Sequence, residues 1–312
     1  MDTLKEERWQ RDRDLLVARV AALGGTVLVQ AANGDDALQN AQAENLLTQG
    51  VDVLLVAPHN AKTAATIVES AHRAGVPVIA YDRLINDADV DLYVSFDNEK
   101  VGELQAGYLV QRRPKGAYVL IGGAPTDHNA LLYREGQMRV LQPYVDRGDI
   151  QIASDQWAKD WLAVEALKIT ENALTRTNNQ VVAVVASNDG LAGGAIQALE
   201  EQKLAGRVLV SGQDAELSGC QRIVAGTQSM TVYKPIPLLA GKAAEAALLL
   251  SQKKPVPGAT RRLNNGRKDV ASILIDPVAV DRENLPGTVI ADGYQKVDQV
   301  YAGIPRDQWP KP

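Results

Sequence analysis

Five stretches of this sequence place carboxylates, amides or cations directly after short apolar runs: Tyr81-Asp82-Arg83 after 76–80, Asp127-His128-Asn129 beyond Gly122-Gly123 after 118–121, Ser187-Asn188-Asp189 after 181–186, Gly212-Gln213-Asp214 after 208–211, and Lys234 after 230–233. In open α/β sheets ligands bind beyond the carboxyl ends of the strands, so these are the positions where chemistry is expected. Carboxylates accept, cations donate and amides do both, so a ring of such groups suits neighbouring hydroxyls of the kind a sugar presents. Each position also has a local reading, because Asp and Asn cap helices at strand-to-helix junctions; Asp189 in particular reads as such a cap. Asp82 and Asp214 could in addition form a glycosidase pair, whose chemistry needs only two carboxylates.

Aromatic residues are scarce, with one Phe, nine Tyr and four Trp in 312 residues, so the place of each Trp carries information. Trp9 sits in the polar context Glu7-Arg8-Trp9-Gln10-Arg11, and Trp157 and Trp161 flank a helix start in Gln156-Trp157-Ala158-Lys159-Asp160-Trp161. Spacing of i,i+4 puts Trp157 and Trp161 on one helical face, where core packing is the plain alternative. The functional reading assigns Trp9 and Trp161 to the apolar face of a sugar ring, because an indole offers a flat dry surface.

Signatures of catalysis are weak. His59, His72 and His128 have no metal-ligand spacing and read as ordinary surface or loop residues. Cys220 is the sole cysteine, which leaves no internal disulfide and no thiolate metal site. Gly190-Leu191-Ala192-Gly193-Gly194 matches no phosphate-binding loop, Gly122-Gly123 lacks a third glycine, and no Gly-x-Ser-x-Gly elbow is present. No catalytic residue, metal or cofactor is expected, and the chain reads as a binding protein rather than an enzyme.

The elements that must hold these residues follow from periodicity. Runs rich in Val, Ile and Leu at 26–30, 51–56, 76–80, 118–121, 150–152, 181–185, 208–210 and 230–233 alternate with longer amphipathic stretches. Continuous apolar runs of this length suit strands covered on both faces, and alternating β and α units imply parallel sheets with right-handed crossovers. The length suggests about two domains, so the expected fold class is α/β, with two similar doubly wound lobes. The net charge of -5, from 33 basic and 38 acidic residues mixed along the chain, is not built to neutralise nucleic acid or anionic lipid. No apolar run approaches the roughly 18 to 20 residues of a membrane helix; the nearest, 238–250, contains Lys242 and Glu245. The start, Met1-Asp2-Thr3-Leu4-Lys5-Glu6-Glu7, is charged and helical, unlike a signal peptide.

Seven ordered motifs carry a resemblance over nearly the whole chain, from residue 1 to about residue 295: Glu7-Arg8-Trp9-Gln10, residues 80–89 (Ala-Tyr-Asp-Arg-Leu-Ile-Asn-Asp-Ala-Asp), 95–106 (Ser-Phe-Asp-Asn-Glu-Lys-Val-Gly-Glu-Leu-Gln-Ala), Val185-Ala186-Ser187-Asn188-Asp189, Ser211-Gly212-Gln213-Asp214-Ala215, 226–235 (Gly-Thr-Gln-Ser-Met-Thr-Val-Tyr-Lys-Pro) and Leu263-Asn264-Asn265-Gly266. Together they resemble the periplasmic sugar-binding proteins of bacterial ABC transport systems. The resemblance implies a type I periplasmic-binding fold with lobes at 1–95 plus 235–264 and at 96–234 plus 265–312, hinge crossings near 95, 235 and 265, and a sugar in the cleft between them. It implies ligand contacts from Arg8, Trp9, Asp82 and Arg83 in one lobe and from Asn129, Trp161, Asn188, Asp214 and Lys234 in the other, with Arg134 a weaker candidate. The implied ligand is a monosaccharide, a pentose with D-xylose favoured; the implied partner is a membrane ABC permease, and the implied state is a monomer in the periplasm or at the exterior of the cell envelope.

Two departures accompany the resemblance. Such proteins carry a signal peptide and then a strand central to the first sheet ahead of the segment matching Met1-Asp2-Thr3, and this sequence has neither, which reads as a start placed too late or an incomplete chain. The second is His128, where the family tends to have Asn. Rival readings are a sugar-responsive effector domain of a regulator, which needs a helix-turn-helix that residues 1–25 do not offer, and a sugar-processing enzyme.

Overall fold

The computed structural model describes residues 1–310. In chain order the elements are α1 (Glu7–Ala22), α2 (Asp36–Thr48), β1 (Leu54–Val56), α3 (Ala65–Arg73), β2 (Val78–Tyr81), β3 (Leu92–Phe96), α4 (Asn98–Arg112), β4 (Gly116–Gly122), α5 (His128–Asp146) and β5 (Ile150–Trp157). There follow α6 (Ala163–Arg176), β6 (Val181–Ala186), α7 (Asp189–Glu201), β7 (Leu209–Val210), α8 (Leu217–Ala225), β8 (Thr231–Tyr233), α9 (Ile236–Ser251), β9 (Arg261–Asn264), β10 (Asp269–Ile275) and β11 (Val278–Val280).

These elements group into two compact units, each with its own parallel sheet. The first unit comprises Met1–Asp97, Thr126–Asn129 and Pro235–Asp276. Its sheet has the order β1-β2-β3-β10-β9, parallel except for the β9–β10 hairpin. Every residue of β2 and β3 is buried, as expected of strands covered on both faces. Two features differ from the boundaries expected from the sequence. Residues 265–276 stay with the first unit because β10 pairs in parallel with β3, Ser272 opposite Tyr93 through Ile275 opposite Phe96. Asn129, expected with the other lobe, groups with the first unit through Tyr93 and Asp82.

Residues 26–30, expected to be a strand, have no ladder partner among the described residues. A strand needs a neighbour about 4.8 Å away, whereas this segment and β1 both line an apolar groove of about 420 Å³, together with Leu16, Leu46 and Leu248. The segment's end is bridged instead: the Met1 amine donates to Gln30 O at 2.8 Å, Ala32 N–H donates to Met1 O at 3.1 Å, and Gln42 Nε2 donates to Ala31 O at 3.0 Å.

The second unit comprises Asn98–Pro125, Ala130–Lys234 and the chain from Pro277 onward. Its sheet is fully parallel in the order β5-β4-β6-β7, beside an antiparallel β8–β11 ribbon. Val119, Ile121, Val184 and Ala186 pack under Ile169, Leu191 and Ala195 of α6 and α7 to form its core. Local chemistry sets the helix ends. Asp35 caps α2 through Leu38 N–H at 2.9 Å, and Pro237 occupies the first turn of α9, where a missing N–H costs nothing. No helix among the described residues is long and apolar enough to cross a membrane. The apolar run at 238–250 belongs to α9, which buries Leu239, Ala240, Ala243, Ala244 and Ala246.

Candidate functional site

In the first unit the candidate residues gather at the carboxyl end of β2. Asp82 adopts left-handed backbone with φ of +62°, a conformation that strains a non-glycine residue and recurs at ligand sites. Its N–H donates to Val94 O on β3 at 2.8 Å. Its carbonyl accepts from Ser95 Oγ at 2.6 Å, Tyr93 OH at 2.8 Å and Asn129 Nδ2 at 3.0 Å, which holds the strained peptide in place. Its carboxylate pairs with Arg8 Nη2 at 2.8 Å.

Arg8 and Trp9 both come from the first turn of α1, and both are buried. The guanidinium carbons of Arg8 and Arg83 lie 4.4 Å and 5.1 Å from the Trp9 ring centroid, close enough for cation–π attraction, while Trp9 also joins the core cluster of Ile79, Val94 and Phe96. Arg83 meets Asp2 at 2.7 Å and Asp127 at 2.8 Å and donates to Pro58 O at 3.1 Å. Burial disfavours its charge, but Asp127 and Asp2 outweigh burial and raise its pKa. Asp2 itself is pushed up by burial and pulled further down by His59 and Arg83, so its carboxyl lies below the ordinary value. His59, expected to be an ordinary residue, is the outer member of this chain: its Nδ1 lies 3.0 Å from Asp2 Oδ1, and that contact raises its pKa.

In the second unit Asp214 repeats the backbone of Asp82, with φ of +90° and its N–H donating to Val232 O at 2.8 Å. Its Oδ1 lies 3.0 Å from Nζ of Lys234, which is only 2% exposed. The helix cap expected of Asp189 belongs to Asn188, whose Oδ1 accepts from Leu191 N–H at 2.8 Å. Asp189 lies one residue further in and is fully buried. Its carboxylate accepts from Gln228 Nε2 at 2.7 Å, Glu216 N–H at 2.9 Å and Thr231 Oγ1 at 3.0 Å. Its N–H donates to Gln213 O at 3.0 Å, tying the start of α7 to the loop that presents Asp214. Burial pushes this carboxyl up to about 7 against the pull of Arg222. Gly212 makes room for it, since a Cβ there would stand 2.0 Å from Asp189 Oδ1.

The shared helical face expected of Trp157 and Trp161 does not form. Strand β5 runs on through Trp157, which pairs opposite Gly122, so the helix cannot start there. Lys159–Trp161 forms a short 3-10 turn with Asp160 and Trp161 at φ of +50° and +57°. This turn lays the Trp161 ring against Gly123, where a Cβ would come within 2.0 Å of it, and edge-on to Tyr133 at 6.4 Å between centroids. Trp161 Nε1 is buried and has no hydrogen-bond partner among the described residues. Arg134 turns to Asp155, with Nε to Oδ1 at 3.0 Å.

Three supports escaped the sequence reading. Asp2 and Asp12 are buried acids on the first unit's cations, and Gln105 Nε2 donates to Gly212 O at 3.1 Å and Ser187 O at 3.2 Å. Of these only Asp12 had a local signal, its i,i+4 spacing from Arg8. Among the described residues no group of three His, Cys, Asp or Glu side chains could hold a metal ion. What the two clusters offer is strained carboxylates beside buried cations, with amides and indoles around them, which suits a neutral polyhydroxyl ligand.

Comparison with known proteins places the chain in a defined group. Residues 1–255 match the family model described as periplasmic binding protein domain. The chain is 55% identical over 300 residues to the D-xylose-binding periplasmic protein of Escherichia coli strain K12, covering 96% of this chain and 91% of that protein. It is 52% identical to the D-xylose-binding periplasmic protein of Haemophilus influenzae, covering 96% and 90%. Among solved structures, a carbohydrate transporter solute-binding protein from Chloroflexus aurantiacus in complex with D-glucose superposes with a TM-score of 0.91 at 33% identity, covering 96% of both chains.

Proposed function

We propose that this chain, which belongs to the periplasmic binding protein domain family, is a solute-binding receptor for a monosaccharide, D-xylose before others, and passes it to an ABC permease. The observation that carries this reading is the 55% and 52% identity, across 96% of the chain, to two proteins that are themselves D-xylose-binding. The chemistry of the clusters supports it. Asp82 and Asp214 accept hydrogen bonds from sugar hydroxyls, and Trp9 and Trp161 cover apolar faces of the ring. Arg8, Arg83, Asn129, Asn188 and Lys234 set position and stereochemistry, with Arg134 at the margin. The same kinship supports a place in the periplasm or at the exterior of the cell envelope, and a monomeric receptor, with no nucleic acid among its partners.

Thermal unfolding against D-xylose, D-ribose, L-arabinose, D-glucose and xylitol tests the reading, because a ligand of the folded state raises stability by RT ln(1 + [L]/Kd). A large shift with D-xylose and small ones with the rest is the expected result. A larger shift with D-glucose would reassign the ligand to a hexose, and no shift with any of the five would remove the receptor reading.

A further inference from the structure

Asp12 stands outside the set of sugar contacts, yet it is 1% exposed and bonded on both oxygens. One helical turn beyond Arg8 on α1, its Oδ2 lies 3.2 Å from Arg8 Nε and 3.1 Å from Arg8 Nη2, and its Oδ1 accepts from Tyr81 OH at 2.5 Å. Arg8 therefore sits between two acids, Asp12 on its own helix and Asp82 at the end of β2. A buried ion pair is a poor source of stability compared with an apolar contact of the same size, so an acid at a core position of α1 calls for another reason. A guanidinium is planar, and a carboxylate that touches both Nε and Nη2 constrains that plane. Burial pushes Asp12 up to about 6 against the pull of Arg8, so at neutral pH it remains mostly ionised; Arg8, Asp82 and Tyr81 are the charged or titratable groups facing it.

We propose that Asp12 is a positioning residue for sugar binding: it fixes the plane of the Arg8 guanidinium, so that Arg8 and Asp82 meet a sugar hydroxyl in one preset geometry. The inference rests on the receptor reading above. It makes Asp12 act through Arg8, and that is what separates it from a residue that merely holds α1 in place.

The test is a double-mutant cycle read by calorimetric titration of D-xylose into the full chain at neutral pH. The D12N substitution keeps the shape and removes the charge, and it is expected to weaken binding by about tenfold or more while thermal unfolding shows a folded protein. R8A weakens binding as well, and D12N/R8A binds no more weakly than R8A alone. Asp12→Glu, which keeps the charge and displaces it, forms a second cycle with R8A, expected to show a smaller loss that likewise disappears; it carries the test if D12N does not fold. Losses that add in the cycle, or D12N binding as tightly as the wild type, overturn the proposal and leave the receptor reading intact. A wild-type chain that binds none of the five sugars removes both.

Discussion

Asp82, directly after β2, and Asp214, in the loop beyond β7, share a backbone, each left-handed and each donating its N–H to a valine carbonyl at 2.8 Å, but the two units hold these acids by different means. Around Asp82 charges alternate: Asp12, Arg8 and Asp82 form one series, and His59, Asp2, Arg83 and Asp127 another. Around Asp214 the supports are of a different kind. Lys234 meets Asp214 at 3.0 Å and Tyr133 OH at 3.5 Å, and the supporting acid, Asp189, is held by amide, hydroxyl and backbone donors. Arg8 meets two acids, so loss of Asp82 leaves Asp12 in place, whereas loss of Asp214 removes a carboxylate 3.0 Å from a lysine that is 2% exposed.

The largest effect should come from the buried lysine pair. Asp214→Ala is expected to cost about 3 to 5 kcal/mol in urea unfolding, because Lys234, 2% exposed, loses the carboxylate 3.0 Å from its Nζ. Asp82→Ala should cost only about 1 to 3 kcal/mol, since Arg8 keeps Asp12. Equal losses would erase the distinction between the units, and recovery of most of the first loss in Asp214→Ala/Lys234→Met would sharpen it.

Asp189→Asn comes next, at up to about 3 kcal/mol, because its amide must face one of three donors. It also carries a signature in pH. Burial raises Asp189 to about 7 and Asp12 to about 6, above the roughly 3.9 of an exposed Asp. For a raised acid the stabilising contribution is fully present below about pH 4 and is lost as pH rises through the folded value. Asp2, whose pKa is lowered, contributes in the opposite sense, present above its ordinary value and lost as pH falls. Unfolding free energies measured from about pH 4 to pH 8 should therefore contain a declining component in the wild type that Asp189→Asn lacks. If the two pH profiles run parallel, Asp189 is not the titrating support of the second unit.

Gly123→Ala is expected to cost about 1 to 2 kcal/mol and to displace Trp161, read as a change in tryptophan fluorescence, since the new Cβ and the indole occupy one place. The smallest effect is Arg134→Ala, below about 1 kcal/mol, because its partner Asp155 is 44% exposed in water that screens the pair. A larger loss there would mean that the charge support of the second unit extends beyond Lys234.

Much of this fold is legible in the chain. Apolar runs without alternation imply doubly covered parallel strands, and β2, β4 and β6 stand where such runs occur, because burial on both faces demands it. The polar residues after those runs are legible too, as strand ends are where backbone stops consuming donors and acceptors. Three readings were not available in one dimension. Residues 26–30 have the composition of a strand, but pairing depends on a neighbour. Trp157 and Trp161 have helical spacing, but β4 draws Trp157 into β5. Asp189 has the place of a cap, but Asn188 takes the role and leaves Asp189 to join α7 with β8 and the loop before it.

By itself the sequence determined the apolar runs that become β2, β4 and β6, the alternation that makes two parallel sheets, and the polar groups that follow those runs, because these depend on the period and polarity of neighbouring residues. Only the tertiary structure decided that β10 joins β3 from 179 residues away, that Asp12 and Asp82 share Arg8, and that Lys234 is buried against Asp214. The physical reason is that burial periodicity is a local property of the chain, whereas the partner of a buried charge is fixed by which segments the packed sheets bring within about 3 Å of one another.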